Sequence, residues 1–205
     1  MAYYFDKETD IVSDEKLITV KINNQMYKFY TDNNVFSKRY LDFGTRTLLE
    51  GLDLNVIQGD ILDFGCGYGP IGIYLKHNCK CNVDMIDINE RAINLTIKNA
   101  KLNMVSVNVF ESDIYNNINK KYDCIITNPP IRVGKEILYK ILNGANDYLK
   151  KKGHLIFVIH KDQGAKTVEK KLAELYKVNI IKKNKGFYVI DCEKYWHIYK
   201  IVIKS

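Results

Sequence analysis

Apolar positions along the chain change period several times, and each change marks an element. Lys16-Leu-Ile-Thr-Val-Lys-Ile22 and Met26-Tyr-Lys-Phe-Tyr-Thr31 read as strands on either side of the turn-forming Asn23-Asn24-Gln25, which predicts a β-hairpin. Residues 45–52 then take up helical spacing and predict a short helix. From residue 60 strand and helix alternate. Residues 61–64, 83–88, 105–110 and 122–127 read as strands, and helices are expected from the glycines after Phe64 to about His77 and from about Asn89 to Asn99. A helix from about Lys135 to Leu149 puts Ile137, Leu138, Ile141, Leu142, Ala145 and Leu149 on one face. A turn at Lys152-Gly153 leads into the apolar run 154–160, followed by a helix over 167–175. Residues 186–190 and 196–203 predict a closing antiparallel hairpin.

Repeated strand–helix units require an α/β fold with a mostly parallel sheet covered on both faces, and they put any ligand at the carboxyl ends of the strands. Residues 1–52 form an N-terminal extension of hairpin and helix, and residues 53–205 the main domain. No Gly/Ser linker, repeat or low-complexity tract separates the two, so the extension is expected to pack on the main domain.

Composition narrows the class. The 205 residues are 46% hydrophobic and 27% charged, which suits one folded domain. No run approaches the roughly 18 apolar residues of a membrane helix, so no membrane association is expected. The opening Met1-Ala-Tyr-Tyr-Phe-Asp-Lys-Glu does not read as a secretory signal, and a cytoplasmic location is expected. Five cysteines, an odd number, are expected to stay reduced, and Cys79, Cys81 and His77 lack the paired spacing of a structural zinc site, so no metal is expected. Net charge is +7, and it is unevenly spread: residues 150–185 hold eleven lysines and three acids, hence +8. That is the footprint of a polyanion partner such as nucleic acid, although 27 of the 31 basic residues are lysine and a solvated lysine-rich surface fits equally well.

Asp63-Phe64-Gly65-Cys66-Gly67-Tyr68-Gly69-Pro70 sits where the first strand of the main domain turns into its helix. Successive glycines there let a ligand approach backbone N–H groups with no Cβ in the way. Gly67, Gly69 and Gly72 match GxGxxG, and Asp87 follows Gly67 by 20 residues, where a carboxylate accepts ribose hydroxyls, so a dinucleotide oxidoreductase survives this test. Three features favour S-adenosylmethionine instead. Asp63 would repel a pyrophosphate and meet a cationic amine; Pro70 removes a donor at the helix start; Asp113 offers an acceptor for an adenine amine.

All three prolines of the chain, Pro70, Pro129 and Pro130, fall at strand ends in this expected crevice. Asn128-Pro129-Pro130-Ile131 is a rigid loop with free carbonyls. The Asn128 side-chain oxygen and the Pro129 carbonyl can accept both protons of an exocyclic amine and aim its lone pair at an electrophilic methyl. A strand-terminating turn is the plainer alternative.

Together these segments, with Asp87-Ile-Asn-Glu-Arg-Ala92, Asn99-Ala100, Ser112-Asp113, Ile131-Arg-Val-Gly-Lys135 and Phe36-Ser37 to Asp42-Phe-Gly44-Thr45, resemble the class I S-adenosylmethionine-dependent methyltransferases. More narrowly they resemble the small-domain family typified by the 16S ribosomal RNA guanine-N2 methyltransferase C. The resemblance implies a Rossmann-like fold with a mostly parallel seven-stranded sheet, a C-terminal antiparallel hairpin and a small N-terminal hairpin extension. It implies that Asp63 and the loop Gly65, Cys66, Gly67 and Gly69 hold the methionine moiety, Asp87 with Ile88 the ribose, and Asp113 with Ile114 the adenine. Asp42 and Thr45 would close the cofactor pocket. Asn128, Pro129 and Pro130 would carry the transfer, with Asn128 bordering the cofactor as well. Phe36 and Ile131 would lie near the target base, where Ile131 offers apolar contact and stacking falls to Phe36. Arg132, Lys135, Lys151, Lys152, Lys161 and Lys166 become candidates for RNA phosphates, on ribosomal small-subunit RNA or an assembled subunit. Transfer to another amine (adenine N6, cytosine N4 or a protein glutamine), a nicotinamide-dependent oxidoreductase and a catalytically silent RNA-binding protein remain alternatives.

Overall fold

A computed structural model describes residues 12–33, 35–37, 40–130 and 134–195. Strands β1 (Lys16–Ile22) and β2 (Gln25–Thr31) form the antiparallel hairpin read from the sequence, and α1 (Phe43–Leu49) follows. The main sheet is built from β3 (Gly59–Phe64), β4 (Cys81–Asp87), β5 (Asn108–Glu111), β6 (Tyr122–Thr127), β7 (Leu149–His160), β8 (Tyr176–Asn184) and β9 (Phe187–Lys194). Their order is β5-β4-β3-β6-β7-β9-β8; the first five run parallel, and β9 lies antiparallel between β7 and β8. Helices α2 (Pro70–Asn78), α3 (Glu90–Leu102), α4 (Lys135–Tyr148) and α5 (Ala165–Leu172) make the connections. This is the Rossmann-like methyltransferase fold. The central strands are apolar nearly throughout: in β6, Cys124, Ile125, Ile126 and Thr127 are all buried, as a strand covered on both faces requires.

Val20, Ile22, Tyr27 and Phe29 of the hairpin share one apolar cluster with Leu75 of α2 and Val83 of β4. Asn99 of α3, fully buried, ties the two parts: its Oδ1 accepts from the Tyr30 N–H at 2.7 Å, and its Nδ2 donates to the carbonyls of Tyr30 and Tyr68 at 2.9 and 2.8 Å.

Three expectations need correction. The closing hairpin is made by β9 with β8, whose residues 176–184 are not read as a strand from the sequence, while the strand expected over 196–203 lies outside the described residues. In β8 the buried and partly buried positions Tyr176, Val178 and Ile180 alternate with exposed ones, a period-2 pattern masked by its lysines. Helix α5 starts two residues early and stops at Leu172, because a 3-10 turn over Lys161–Gln163 and the left-handed Gly164 set its start. The turn expected at Lys152-Gly153 is instead a bulge inside β7, where the partner of Tyr122 is Leu149 but that of Cys124 is His154, with Lys152 at φ +57°.

Candidate active site

The carboxyl ends of β3, β4, β5 and β6 open on one side of the sheet, and the glycine loop joins β3 to α2 there. Gly65 and Gly67 have φ of +69° and +58°, and a Cβ at either would meet no atom within 4 Å. Their backbone is therefore held in a glycine conformation and faces open space. The loop is pinned from behind. The Cys66 N–H donates to the Ile86 carbonyl at 2.8 Å, the Thr96 hydroxyl donates to the Gly67 carbonyl at 2.8 Å, and the Gly69 N–H donates to the Cys66 carbonyl at 2.9 Å. Cys66 itself is buried behind the loop, and burial pushes its thiol well above the usual range.

Asp87, at the end of β4, accepts from the Gly67 N–H on Oδ2 and the Asn89 N–H on Oδ1, both at 2.9 Å. Burial pushes its carboxyl up against these two bonds. Each oxygen keeps a second lone pair, so the group can still accept hydroxyls. Asp63 is buried completely. Its Oδ2 accepts from the Gly72 N–H at 2.8 Å in the first turn of α2, a helix whose Gly69 cap supplies no side chain, and its Oδ1 has no partner. Burial, with the nearby Asp87 adding to it, pushes the Asp63 carboxyl up to about 7.

An apolar cleft beside the loop is lined by Phe64, Gly65, Ile86, Asp87, Ile88, Ser112, Ile114, Pro130 and Ile141. Gly65, Asp87, Ile88, Ile114 and Pro130 are site residues in the sequence reading; Phe64, Ile86, Ser112 and Ile141 are not, because nothing in their local pattern separates a cleft wall from core. Asp113 is exposed next to the cleft rather than among its lining, while the Ser112 hydroxyl donates to the Ile114 carbonyl and fixes the turn.

Asn128 follows β6 and is partly buried. Its Nδ2 donates to Asp42 Oδ2 and to Thr45 Oγ1, each at 2.9 Å. Asp42 is also the N-cap of α1, with Oδ2 accepting from the Thr45 N–H at 2.9 Å. A carboxylate only accepts, so Asp42 fixes which end of the Asn128 amide is nitrogen and turns Oδ1 away from it. Asp42 and Thr45 are thus brought to Asn128 and are not among the cleft lining. Pro129 is buried and Pro130 lines the cleft.

Phe36 lies in the β2–α1 connection with 52% of its surface exposed. Ile131 and Arg132 fall outside the described residues. Lys135 opens α4, while Lys161 and Lys166 follow the carboxyl end of β7, all on the site's side of the sheet. Lys151 and Lys152 lie near the start of β7, at the opposite end, so the six basic candidates do not share one face.

The model of the methyltransferase small domain matches residues 26–191 of the chain. The chain belongs to this family. It is 38% identical over 197 residues to the uncharacterized protein YbxB of Bacillus subtilis (strain 168), covering 94% of this chain and 98% of that one. It is 34% identical over 151 residues to ribosomal RNA small subunit methyltransferase C of Psychromonas ingrahamii, covering 71% of this chain but 43% of the relative. The match to the Aliivibrio fischeri (strain ATCC 700601 / ES114) protein of that name is 33% over 181 residues, 85% of this chain and 52% of that one, so this methyltransferase small domain spans about half the length of those relatives. Its fold is similar to that of a T. thermophilus 16S rRNA N2 methyltransferase solved in complex with AdoMet and guanosine, with a TM-score of 0.78 and 22% identity over 88% of this chain and 50% of that one.

Proposed function

We propose that this methyltransferase moves a methyl group from S-adenosylmethionine to an exocyclic amino nitrogen, namely guanine N2 in small-subunit ribosomal RNA. The observation that carries the reading is the Asn128 amide, whose nitrogen is held by Asp42 and Thr45 so that its oxygen is left to accept.

The residues present fit the cofactor. Gly65 and Gly67 offer an open backbone surface, Asp87 a carboxylate with lone pairs to spare, and Asp63 a buried oxygen without a donor. In this reading Asp63 and the loop Gly65, Cys66, Gly67 and Gly69 hold the methionine end, Asp87 and Ile88 the ribose, and Asp113 and Ile114 the adenine. The cofactor supplies an electrophilic methyl on a sulfonium. Asn128 Oδ1 and the Pro129 carbonyl accept the two amine protons, which localises a lone pair otherwise delocalised into the base. So held, the amine would face that methyl in line, the C–S bond giving way to N–C with a neutral thioether left behind, and the surplus proton would pass to bulk water as the product leaves. No covalent enzyme intermediate is required, so positioning and exclusion of water supply the rate. Phe36 stacks on the base, Ile131 adds apolar contact, and Arg132, Lys135 and Lys161 meet phosphates. A cytoplasmic location follows from the same substrate.

The test is incubation with methyl-labelled S-adenosylmethionine of deproteinised ribosomal RNA and of intact small subunits, both from cells lacking the protein, followed by nucleoside analysis. Label in N2-methylguanosine is expected. Label in another nucleoside or in protein would move the reading to a different amine. Absence of S-adenosylmethionine binding would overturn it in favour of an oxidoreductase or a silent RNA binder.

A further inference from the structure

Acids surround the site: Asp63 and Asp87 behind the loop, Asp42 at Asn128, and Asp113 beside the cleft. A phosphate backbone approaching it meets repulsion unless cations stand next to it. Several lysines of the basic segment are engaged by acids. Lys150 is paired with Asp60 and Asp123 at the far end of the sheet, Lys177 faces Glu193, and Lys182 is held by Glu50. Lys161 and Lys185 lie at the site's end of the sheet, where His160 and Asn184 both pair with Phe187. Among the described residues neither has a carboxylate within 4 Å, and both are exposed.

Backbone contacts bring these two together. Strands β8 and β9 are joined by Lys185 and Gly186 alone, with Asn184 paired to Phe187, and both turn residues are left-handed at φ +44° and +86°. Such a turn is short and stiff. Gly186 cannot carry a side chain, since a Cβ would come within 2.4 Å of His160 Nε2. The Gly186 carbonyl accepts from the Lys161 N–H at 2.7 Å, which fastens the start of the 3-10 turn to the hairpin tip. The tip in turn lies on α1: Phe187 packs on Phe43 with ring centres 5.7 Å apart, and Lys185 Nζ stands 5.4 Å from the centre of the Phe43 ring. Phe43 is the residue after Asp42, which holds Asn128.

We propose that Lys161 and Lys185 form a two-cation seat for the phosphate backbone of the RNA whose base enters at Asn128. The inference rests on the RNA reading given above and adds to it the surface that grips the strand. Asp162, the nearest acid in sequence, has Oδ2 3.3 Å from His160 Nδ1, which accepts from the Asp162 N–H.

The test measures binding of deproteinised small-subunit ribosomal RNA as a function of salt, for the full chain and two double variants. Lys161→Ala with Lys185→Ala is expected to weaken binding about tenfold at low salt and to lower the slope of log affinity against log salt by about 2, one for each lost phosphate contact. Lys80→Ala with Lys177→Ala removes two exposed lysines at the opposite end of the sheet and is expected to leave the slope unchanged. Affinity for S-adenosylmethionine should be equal in all three and reports intact folding. An unchanged slope in the first variant, or an equal fall in both, overturns the seat. If the unmodified chain itself binds no RNA, the RNA reading fails and the seat with it; if it binds and only the double variant is unaffected, the seat alone fails.

Discussion

Asp42 does two jobs that a substitution can separate. As N-cap it accepts from the Thr45 N–H, and as orienting group it accepts from Asn128 Nδ2. Asparagine caps a helix about as well as aspartate, but it can present either oxygen or nitrogen to Asn128. Asp42→Asn is therefore expected to leave the unfolding midpoint within a degree or two, while the transfer rate falls about 10- to 100-fold with little change in S-adenosylmethionine affinity. A rate loss matched by an equal loss of stability would assign Asp42 to folding alone. Asp63 gives a prediction in pH. Its carboxyl titrates at about 7 in the fold and near 4 in an unfolded chain, so the folded state binds the extra proton between those values. Ligand-free stability should then fall as pH rises from about 4 to 7 and stay low above it. Asp63→Asn, which cannot ionise, should flatten that fall and raise the unfolding midpoint at pH 8, with a residual slope from Asp87, whose carboxyl is also pushed up. Thermal unfolding across pH 4 to 8 measures both. An Asn128→Ala variant completes the set at this scale: transfer should be lost and cofactor affinity retained.

Among the elements, the glycine loop separates stability from binding. Gly67 is left-handed, yet a Cβ there would touch nothing. Gly67→Ala should cost only about 1 to 2 kcal/mol of stability, the strain of a left-handed alanine, while the new methyl stands in the space a ligand must enter. A loss of S-adenosylmethionine affinity greater than about tenfold, read by calorimetry, is expected; unaltered affinity would remove the loop from the cofactor site. This loop, both acids behind it and the strand before Asn128 were legible in the sequence, because strand ends, glycines and prolines carry local signals. The partners of Asn128 were not. Asp42 lies 86 residues away, and which side chain a cap also reaches is settled only when α1 lands on the sheet. Strand β8 was missed for a different reason: its lysines look like a solvated helix face until the alternation of Tyr176, Val178 and Ile180 is counted.

At the level of the whole molecule, the N-terminal hairpin is linked to the cofactor loop through one side chain. Asn99 bridges Tyr30 of β2 and Tyr68 of the glycine loop from inside the core. Truncating it strands three peptide groups, so Asn99→Ala should cost about 2 to 4 kcal/mol. We propose that the hairpin β1–β2 and the main sheet unfold together because of this bridge and the shared apolar cluster. Denaturation followed at separate probes in the hairpin and the main sheet should give coincident transitions, and two midpoints would refute the single unit. The sheet's outer margin has a consequence of another kind. Among the described residues no strand lies beyond β8, which is nine residues long, a length at which unpaired peptide groups invite a second molecule to add its own strand. Lys177, Lys182 and Lys183 stud that margin, and the pairing shift between Ile180 and Lys182 breaks its regularity. Charge and irregularity together disfavour the docking of one sheet margin against another.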